Sequence, residues 1–475
     1  MTTRSDAIRA ATDRFDDGSL LALLRRRVAR RSVSQEPGRL PELAAYLTEE
    51  IVPSLAPLGF RSALHDNPCA EFGPFLVAER HEDAALPTVL IYAHGDTVPG
   101  QDARWRTGLD PWSVTVEGDR WYGRGTADNK GQHTIGLVAL DEVLKARGGR
   151  LGFNVRLLVE MGEEMGSPGL RAFCATHRDA LGADLLIASD GPRLSAGRPT
   201  LFLGSRGVHN FELSVDLRDR AHHSGNWGGL LRNPGTVLAN AIAALVDARG
   251  RILVEALRPP PIPESVRAAL RDLEVGGGPD DPALDADWGE PGLTGEERVF
   301  AWNTLEVLAF LAGDPAAPQN AIPPRARATL QLRFVVGTDW RDIVPAVRRH
   351  LDARGFGTVA VRPSHGEVLG ATRLDPDDPW VAWALASIRD TTGKVPALLP
   401  NLGGSLPNDV FADILGMPTL WVPHSHGACA QHAPDEHLLG SIAREGLAIM
   451  AGLFWDLGET GATVRARRSG AAPAR

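Results

Sequence analysis

Two adjacent carboxylates, Glu163 and Glu164, follow closely on a short apolar run of Val155, Leu157, Leu158 and Val159. Such a run reads as a strand buried on both faces of a parallel sheet. The pair therefore sits where a central strand ends, the place where open α/β sheets bind ligands. Neighbouring side chains point in different directions, so two such carboxylates can divide the work, one holding a metal and one handling a water. After them, Ser167-Pro168-Gly169 reads as a turn into a helix, with Ser167 as N-cap and Pro168 at the first helical position. The arrangement recurs. Val89-Leu90-Ile91-Tyr92-Ala93 stops at His94-Gly95-Asp96, where a His and an Asp two apart on extended backbone project to the same side. In that position a carboxylate fixes the tautomer of a metal-binding imidazole. Leu185-Leu186-Ile187-Ala188 stops at Ser189-Asp190-Gly191. Strands that end three times over in a potential ligand, at His94, Glu164 and Asp190, are improbable by chance.

The elements that must position these residues can be read around them. A Gly-rich stretch, Trp121 to Gly131, opens a helix bearing Ile135, Leu137, Val138, Leu140 and Leu144. It lacks the Lys-Ser/Thr ending of a P-loop, and Asp128 occupies the third glycine's slot of a dinucleotide fingerprint. A carboxylate on a tight loop at a helix start suits a metal bridge better than a phosphate. Leu43, Leu47 and Ile51 share one face of a helix predicted from Pro41 to Val52. From about Leu203 the texture changes. Phe211, Leu213 and Val215 alternate with polar residues, as do Ala326, Ala328, Leu330, Leu332 and Phe334, the period of half-exposed strands. Asn233-Pro234 caps a helix expected to end at Gly250, and another runs from Asp339 through Leu351. Pro259 to Gly295 reads as an irregular excursion, and apolar runs return from about His365, notably Thr419 to Val422. The expected fold is α/β: a mostly parallel sheet flanked by helices over 1–203 and 365–458, with an inserted α+β domain over 204–364 and a disordered tail over 459–475.

Composition narrows the function. The 475 residues are 43% hydrophobic and 23% charged, values of a soluble globular chain too long for one ordinary domain. A net charge of −9 argues against nucleic acid. Arg25-Arg26-Arg27 with Arg30-Arg31 reads as a solvated helix face. The three cysteines are too few for a disulfide framework or a Cys-type zinc site. The polar stretch Met1 to Asp17 has no signal-peptide core, and no apolar run is long enough to cross a membrane, so the cytoplasm is the expected location. His81-Glu82 is not followed by the second His of a zincin, and there is no G-x-S-x-G elbow.

From Leu20 to Phe454 the chain resembles the co-catalytic metallopeptidase and deacylase family, which includes acetylornithine deacetylase, succinyl-diaminopimelate desuccinylase, glutamate carboxypeptidase and carnosine-type dipeptidases. Seven stretches carry the resemblance, in order and spacing. They are His94-Gly95-Asp96, the Asp128 loop, Gly162-Glu163-Glu164, Ser189-Asp190-Gly191, His223-Ser224-Gly225, Gly403-Gly404-Ser405 and His432-Ala433-Pro434-Asp435-Glu436.

The resemblance implies two metal ions bridged by Asp128, with His94 and Asp190 completing one site and Glu164 and His432 the other. Two Zn2+ suit such N and O ligands, and Co2+ or Mn2+ are tolerated by them. It implies Asp96 as the residue orienting His94, Glu163 as general base, His223 as oxyanion donor, and a cis peptide between Asp128 and Asn129. The two residues before His223 are Ala221-His222, where the family has Asp-Leu. Asn320, Arg333, Gly404 and Ser405 match substrate-contacting positions, Arg333 being suited to bidentate capture of a carboxylate or else an exposed strand residue. The implied activity is hydrolysis of the amide bond of short peptides, as dipeptidase or exopeptidase. Its alternatives are removal of an acyl group from an N-acyl amino acid or, remotely, an inactive binding protein on the same fold. Asp190 in place of Glu, and the run from His223 to Gly229, resemble the peptidase branch. The inserted domain is expected to act as a lid and to pair two subunits in a homodimer.

Overall fold

The computed structural model describes residues 2–276, 282–364 and 368–470. It divides into two compact units. One comprises Met1–Gly204, Leu374–Leu402 and Pro407–Arg475, the other Ser205–Arg373 and Gly403–Leu406. The expected return point at His365 lies outside the described residues.

The first unit is built on an eight-stranded sheet in the order Arg61–His65, Phe75–Arg80, Asn154–Glu160, Thr88–His94, Leu185–Ala188, Thr419–Trp421, Thr200–Phe202, Ala397–Leu399. Thr88–His94 runs parallel to both of its neighbours, and Thr419–Trp421 runs parallel to Leu185–Ala188. Antiparallel pairs flank this parallel centre. The central strands are buried along almost their whole length, which is why they read as continuous apolar runs rather than alternations. Helices Lys130–Ala146 and Gly440–Arg468 pack on each other, and Arg4–Asp16 and Pro379–Thr392 pack against the second of them.

The second unit carries a four-stranded antiparallel sheet in the order Thr304–Leu311, Arg325–Phe334, Gly207–Asp216, Ala360–Pro363. Its two long strands alternate in burial as their sequences do. The apolar face packs on helices Pro234–Leu245 and Ile343–Ala353. Asn233 caps the first of these through its side chain, accepting from Gly235 N and Thr236 N.

Several local expectations are corrected. Gly440–Arg468 is one helix, so residues 459–468 of the expected disordered tail are ordered; 471–475 lie outside the described residues. The Arg-rich segment looks frayed in sequence because its partners are remote. Arg465 donates to Ala85 O at 2.6 Å and Arg468 to Asp378 Oδ2 at 2.7 Å, while Val464 is buried. Arg27 is not on a solvated face. It is fully buried and donates to Thr134 Oγ1 at 2.6 Å and Ser54 Oγ at 3.0 Å. Ser167 does not cap a helix. Its hydroxyl donates to Glu160 Oε1 at 2.9 Å, and the helix begins at Leu170 behind Gly169. The helix behind Asn233 ends at Leu245 rather than Gly250, and the 259–295 excursion contains the helix Glu264–Leu270.

Candidate active site

Three parallel strands end side by side, and the chain beyond each carries one of the predicted residues. His94 is the last residue of Thr88–His94, Asp190 lies two residues past Leu185–Ala188, and Glu163 opens a short 3-10 turn after Asn154–Glu160. Asp128 arrives from the Gly-rich loop just before helix Lys130–Ala146, and the peptide bond between Asp128 and Asn129 is cis. His432 comes from the loop ahead of the strand His437–Leu439, at φ 62°, a left-handed conformation rare for any residue but glycine or asparagine.

These residues meet as two clusters that share Asp128. Nε2 of His94 lies 3.0 Å from Asp128 Oδ1 and 3.5 Å from Asp190 Oδ2. Nε2 of His432 lies 3.0 Å from both Asp128 Oδ2 and Glu164 Oε2. In each triad, His94/Asp128/Asp190 and Asp128/Glu164/His432, one ligand atom per residue falls within 4.8 Å of the others. Glu163 belongs to neither triad. Asp96 braces both halves. Its Oδ1 is 3.3 Å from His94 Nδ1, and its two oxygens accept the main-chain N–H groups of Glu163 and Glu164, each at 3.2 Å.

The electrostatics show what this site requires. Burial, followed by repulsion from Asp128, pushes the Glu164 carboxyl up to about 8 and also raises Asp190. Burial and then the surrounding carboxylates raise Glu163 against the pull of His94. Burial works against the charge on Asp128 too, but hydrogen bonds from His432 and His94 outweigh it and hold the group low. Hydrogen bonds to Asp128 and Glu164 push His432 up to about 11. Burial opposes a charge on His94, but hydrogen bonds to Asp128, Asp190 and Asp96 outweigh it and raise this group too. Glu164 Oε1 is buried with no hydrogen-bond partner among the described residues. Positive charge at the two triads would satisfy all of these groups. The donor set, imidazole nitrogens with carboxylate oxygens, fits divalent cations of the zinc, cobalt or manganese kind.

One residue of the site had no role in the sequence reading. Glu436 is fully buried, and its Oε1 accepts the main-chain N–H groups of Gly125, Ala127 and Asp128 at 3.0, 3.0 and 3.1 Å. Its Oε2 accepts from Arg124 Nη1 at 2.6 Å. Glu436 thereby fastens the Asp128 loop to the His432 loop. The only sequence signal was its place four residues beyond His432. Lys130 fastens the loop's other end, donating to Arg27 O at 3.1 Å and Arg30 O at 2.6 Å. His424 is buried and belongs to neither triad.

The remaining predicted residues lie in the second unit, in two groups. His223 is exposed on a short ladder opposite Ala321, where Ser224 N and Oγ donate to Asn320 O at 2.9 and 3.0 Å. Arg333, half-buried on Arg325–Phe334, donates from Nη1 to Ser405 Oγ at 2.7 Å and from Nε to Gln331 Oε1 at 3.0 Å. Gly404 is the residue before Ser405 in the four-residue excursion Gly403–Leu406.

The sequence matches the model of Peptidase family M20/M25/M40 over residues 90–456. It is 28% identical over 386 residues to the cysteinylglycine-S-conjugate dipeptidase of Corynebacterium striatum, which covers 78% of this chain and 81% of that protein. Against the Beta-Ala-His dipeptidase of Homo sapiens it is 26% identical over 422 residues, with 83% and 80% covered. Among solved structures, the di-peptidase Dug1p from Saccharomyces cerevisiae superposes with a TM-score of 0.78 at 21% identity, covering 95% of this chain and 98% of that one. The M20 family metallo-carboxypeptidase Sso-CP2 from Sulfolobus solfataricus superposes with a TM-score of 0.77 at 26% identity, covering 92% and 99%.

Proposed function

The chain belongs to peptidase family M20/M25/M40, and from that premise we propose that it is a dipeptidase working with two divalent metal ions, zinc in the first instance. The observation that carries this reading is the pair of triads sharing Asp128, with Glu163 adjacent in sequence to a triad member yet outside both. His94, Asp128 and Asp190 would hold one ion; Asp128, Glu164 and His432 the other. Bound there, the ions would polarise the scissile carbonyl and lower the pKa of the attacking water.

The chain's own groups then have separate tasks. Glu163 takes the proton of the attacking water and returns it to the leaving amine. Asp96 holds His94 in one orientation and, through two main-chain N–H groups, fixes the turn that carries Glu163. His223 donates to the oxyanion of the tetrahedral intermediate. Arg333, with Ser405 and Gly404 beside it, holds the C-terminal carboxylate of the substrate, and Asn320 contacts the substrate next to His223. The relatives named above act, by their names, on cysteinylglycine conjugates and on Beta-Ala-His, which supports short peptides as the substrate class.

The reading includes a cytoplasmic homodimer formed through the second unit. Thr304–Leu311 is an edge strand of its sheet, and Val307, Leu308, Phe310 and Leu311 along it are 43–58% exposed. An open apolar edge of this kind is a template for a second chain.

The test is a panel of dipeptides and N-acyl amino acids assayed with metal-stripped protein reloaded with zinc, cobalt or manganese, beside elemental analysis of the loaded protein. The expected result is two ions per chain and dipeptides cleaved at much higher kcat/KM than N-acyl amino acids. The reverse preference, or activity indifferent to chelation, would overturn the reading.

A further inference from the structure

The second unit contains a cavity of about 390 Å³ to which none of the roles above is attached. Its walls are largely apolar and aromatic, built from Ile252, Val275, Leu284, Trp288 and Trp302, with Trp288 and Leu284 lying at the surface. Two arginines, Arg206 and Arg298, and the carboxylates Asp285, Glu290 and Glu306 also line it. Arg298 donates to the main-chain oxygens of Glu290 and Trp288, while Arg206 is only 9% exposed. Its Nε donates to Gly403 O at 2.7 Å, while its Nη1 is buried with no hydrogen-bond partner among the described residues. A buried guanidinium N–H left unmet has room for an acceptor from outside, though several arginines of the chain share this feature.

Arg206 also ties this cavity to the group assigned to the substrate's carboxylate. Its main-chain carbonyl accepts from Ser405 Oγ at 2.7 Å, and Ser405 Oγ accepts from Arg333 Nη1 at the same distance. Burial and then the neighbouring Arg333 pull the Arg206 pKa down to about 10. One residue thus faces the cavity with its side chain and supports the carboxylate group with its backbone.

We propose that this cavity is the specificity pocket for the side chain of the substrate's C-terminal residue, and that it favours large aromatic or aliphatic side chains. The proposal rests on the dipeptidase reading and on Arg333 as the carboxylate anchor. The volume lies in the range of small-ligand pockets, which run from about 300 to 1,000 Å³, and the Trp288 and Trp302 rings offer aromatic faces to stack on. Removing such a side chain from water favours it over glycine by roughly ten- to hundredfold. A Leu, Phe or Trp side chain offers no acceptor, so the oxygen that meets Arg206 Nη1 would come from that residue's carboxylate.

The test uses the metal-loaded enzyme and dipeptides that share one N-terminal residue and end in Gly, Ala, Leu, Phe or Trp. The expected kcat/KM rises roughly ten- to hundredfold from Gly to Phe or Trp, and the product L-phenylalanine inhibits competitively where glycine does not. Val299→Trp, filling the cavity from the helix Gly295–Phe300, should compress the Phe-to-Gly ratio about tenfold. Trp288→Ala, removing an exposed wall, should compress it mainly through KM and is the safer variant for folding. Both are compared with the parent protein in thermal unfolding. A ratio near one in the parent overturns the pocket while leaving the dipeptidase reading in place, and so does a ratio that survives both substitutions. If no dipeptide is cleaved by the loaded protein, the dipeptidase reading falls and the pocket falls with it.

Discussion

Glu163 and Glu164 are neighbours in sequence with different surroundings, and the difference is testable. Glu164 Oε2 is 3.0 Å from His432 Nε2 inside a triad, whereas Glu163 stands outside both triads. Glu163→Gln should keep both ions in elemental analysis and lose roughly 10²–10⁴ in turnover, the scale of a general base. Glu164→Gln should lose metal, and equal metal content in the two variants would reject the split of roles. Arg333 carries the second prediction at this scale. Arg333→Ala should weaken substrates with a terminal carboxylate far more than their amidated analogues. A charge-assisted hydrogen bond of about 1.5–3 kcal/mol is a tenfold to hundredfold effect, and equal losses on both substrate types would leave Arg333 a structural residue. The residues legible in the sequence were those to which a side-chain role is proposed. His94 and Asp96 announce themselves because a spacing of two on a strand puts both on one side. Glu436 does not, because its partners are main-chain N–H groups of residues 125, 127 and 128, which converge on it only in the folded loop.

The loop–helix element from Gly123 to Ala146 depends on that carboxylate. Gln in place of Glu436 keeps an oxygen for the three N–H groups but turns an amide NH2 toward Arg124, leaving a buried guanidinium without its anion. Glu436→Gln should therefore destabilise the protein by about 3–5 kcal/mol, the usual result of breaking a buried pair from one side, as measured by denaturant unfolding. It should also weaken metal retention at the Asp128/Glu164/His432 triad before the other. Stability and metal content equal to those of the parent protein would show that the loop is held by other means. At this scale the parallel strands were readable because burial on both faces leaves them continuously apolar, and the strands of the second unit because burial on one face makes them alternate. The end of helix Gly440–Arg468 was not readable. Its last turns are held by Arg465 and Arg468 reaching Ala85 and Asp378, contacts that no local window contains.

For the whole molecule, the proposed dimer makes a prediction that a monomer cannot satisfy. If His223 serves the partner's site, His223→Ala alone should cost about 10²–10³ in turnover, the scale of one lost oxyanion donor. Co-expressed with Glu163→Ala, it should regain activity in mixed dimers, where one site carries both defects and the other neither. With random pairing about half the dimers are mixed, so roughly a quarter of all sites should work. Purified mixed dimers without recovered activity would reject action across the interface. The alternation of the inserted segment was legible as a separate domain texture. The return of Gly403–Leu406 to the second unit was not, since four residues of Gly, Gly, Ser and Leu carry no pattern that assigns them to either unit.

Asp128 offers Oδ1 to His94 and Oδ2 to His432, so one carboxylate is common property of both triads. Loading one triad must therefore alter the affinity of the other, and the two occupancies form linked equilibria rather than independent ones. By reciprocity, the factor by which the first ion changes the second's binding is the factor by which the second changes the first's. A calorimetric titration of the stripped protein should accordingly resist description by two non-interacting sites, and Asp128→Asn should weaken both binding events together.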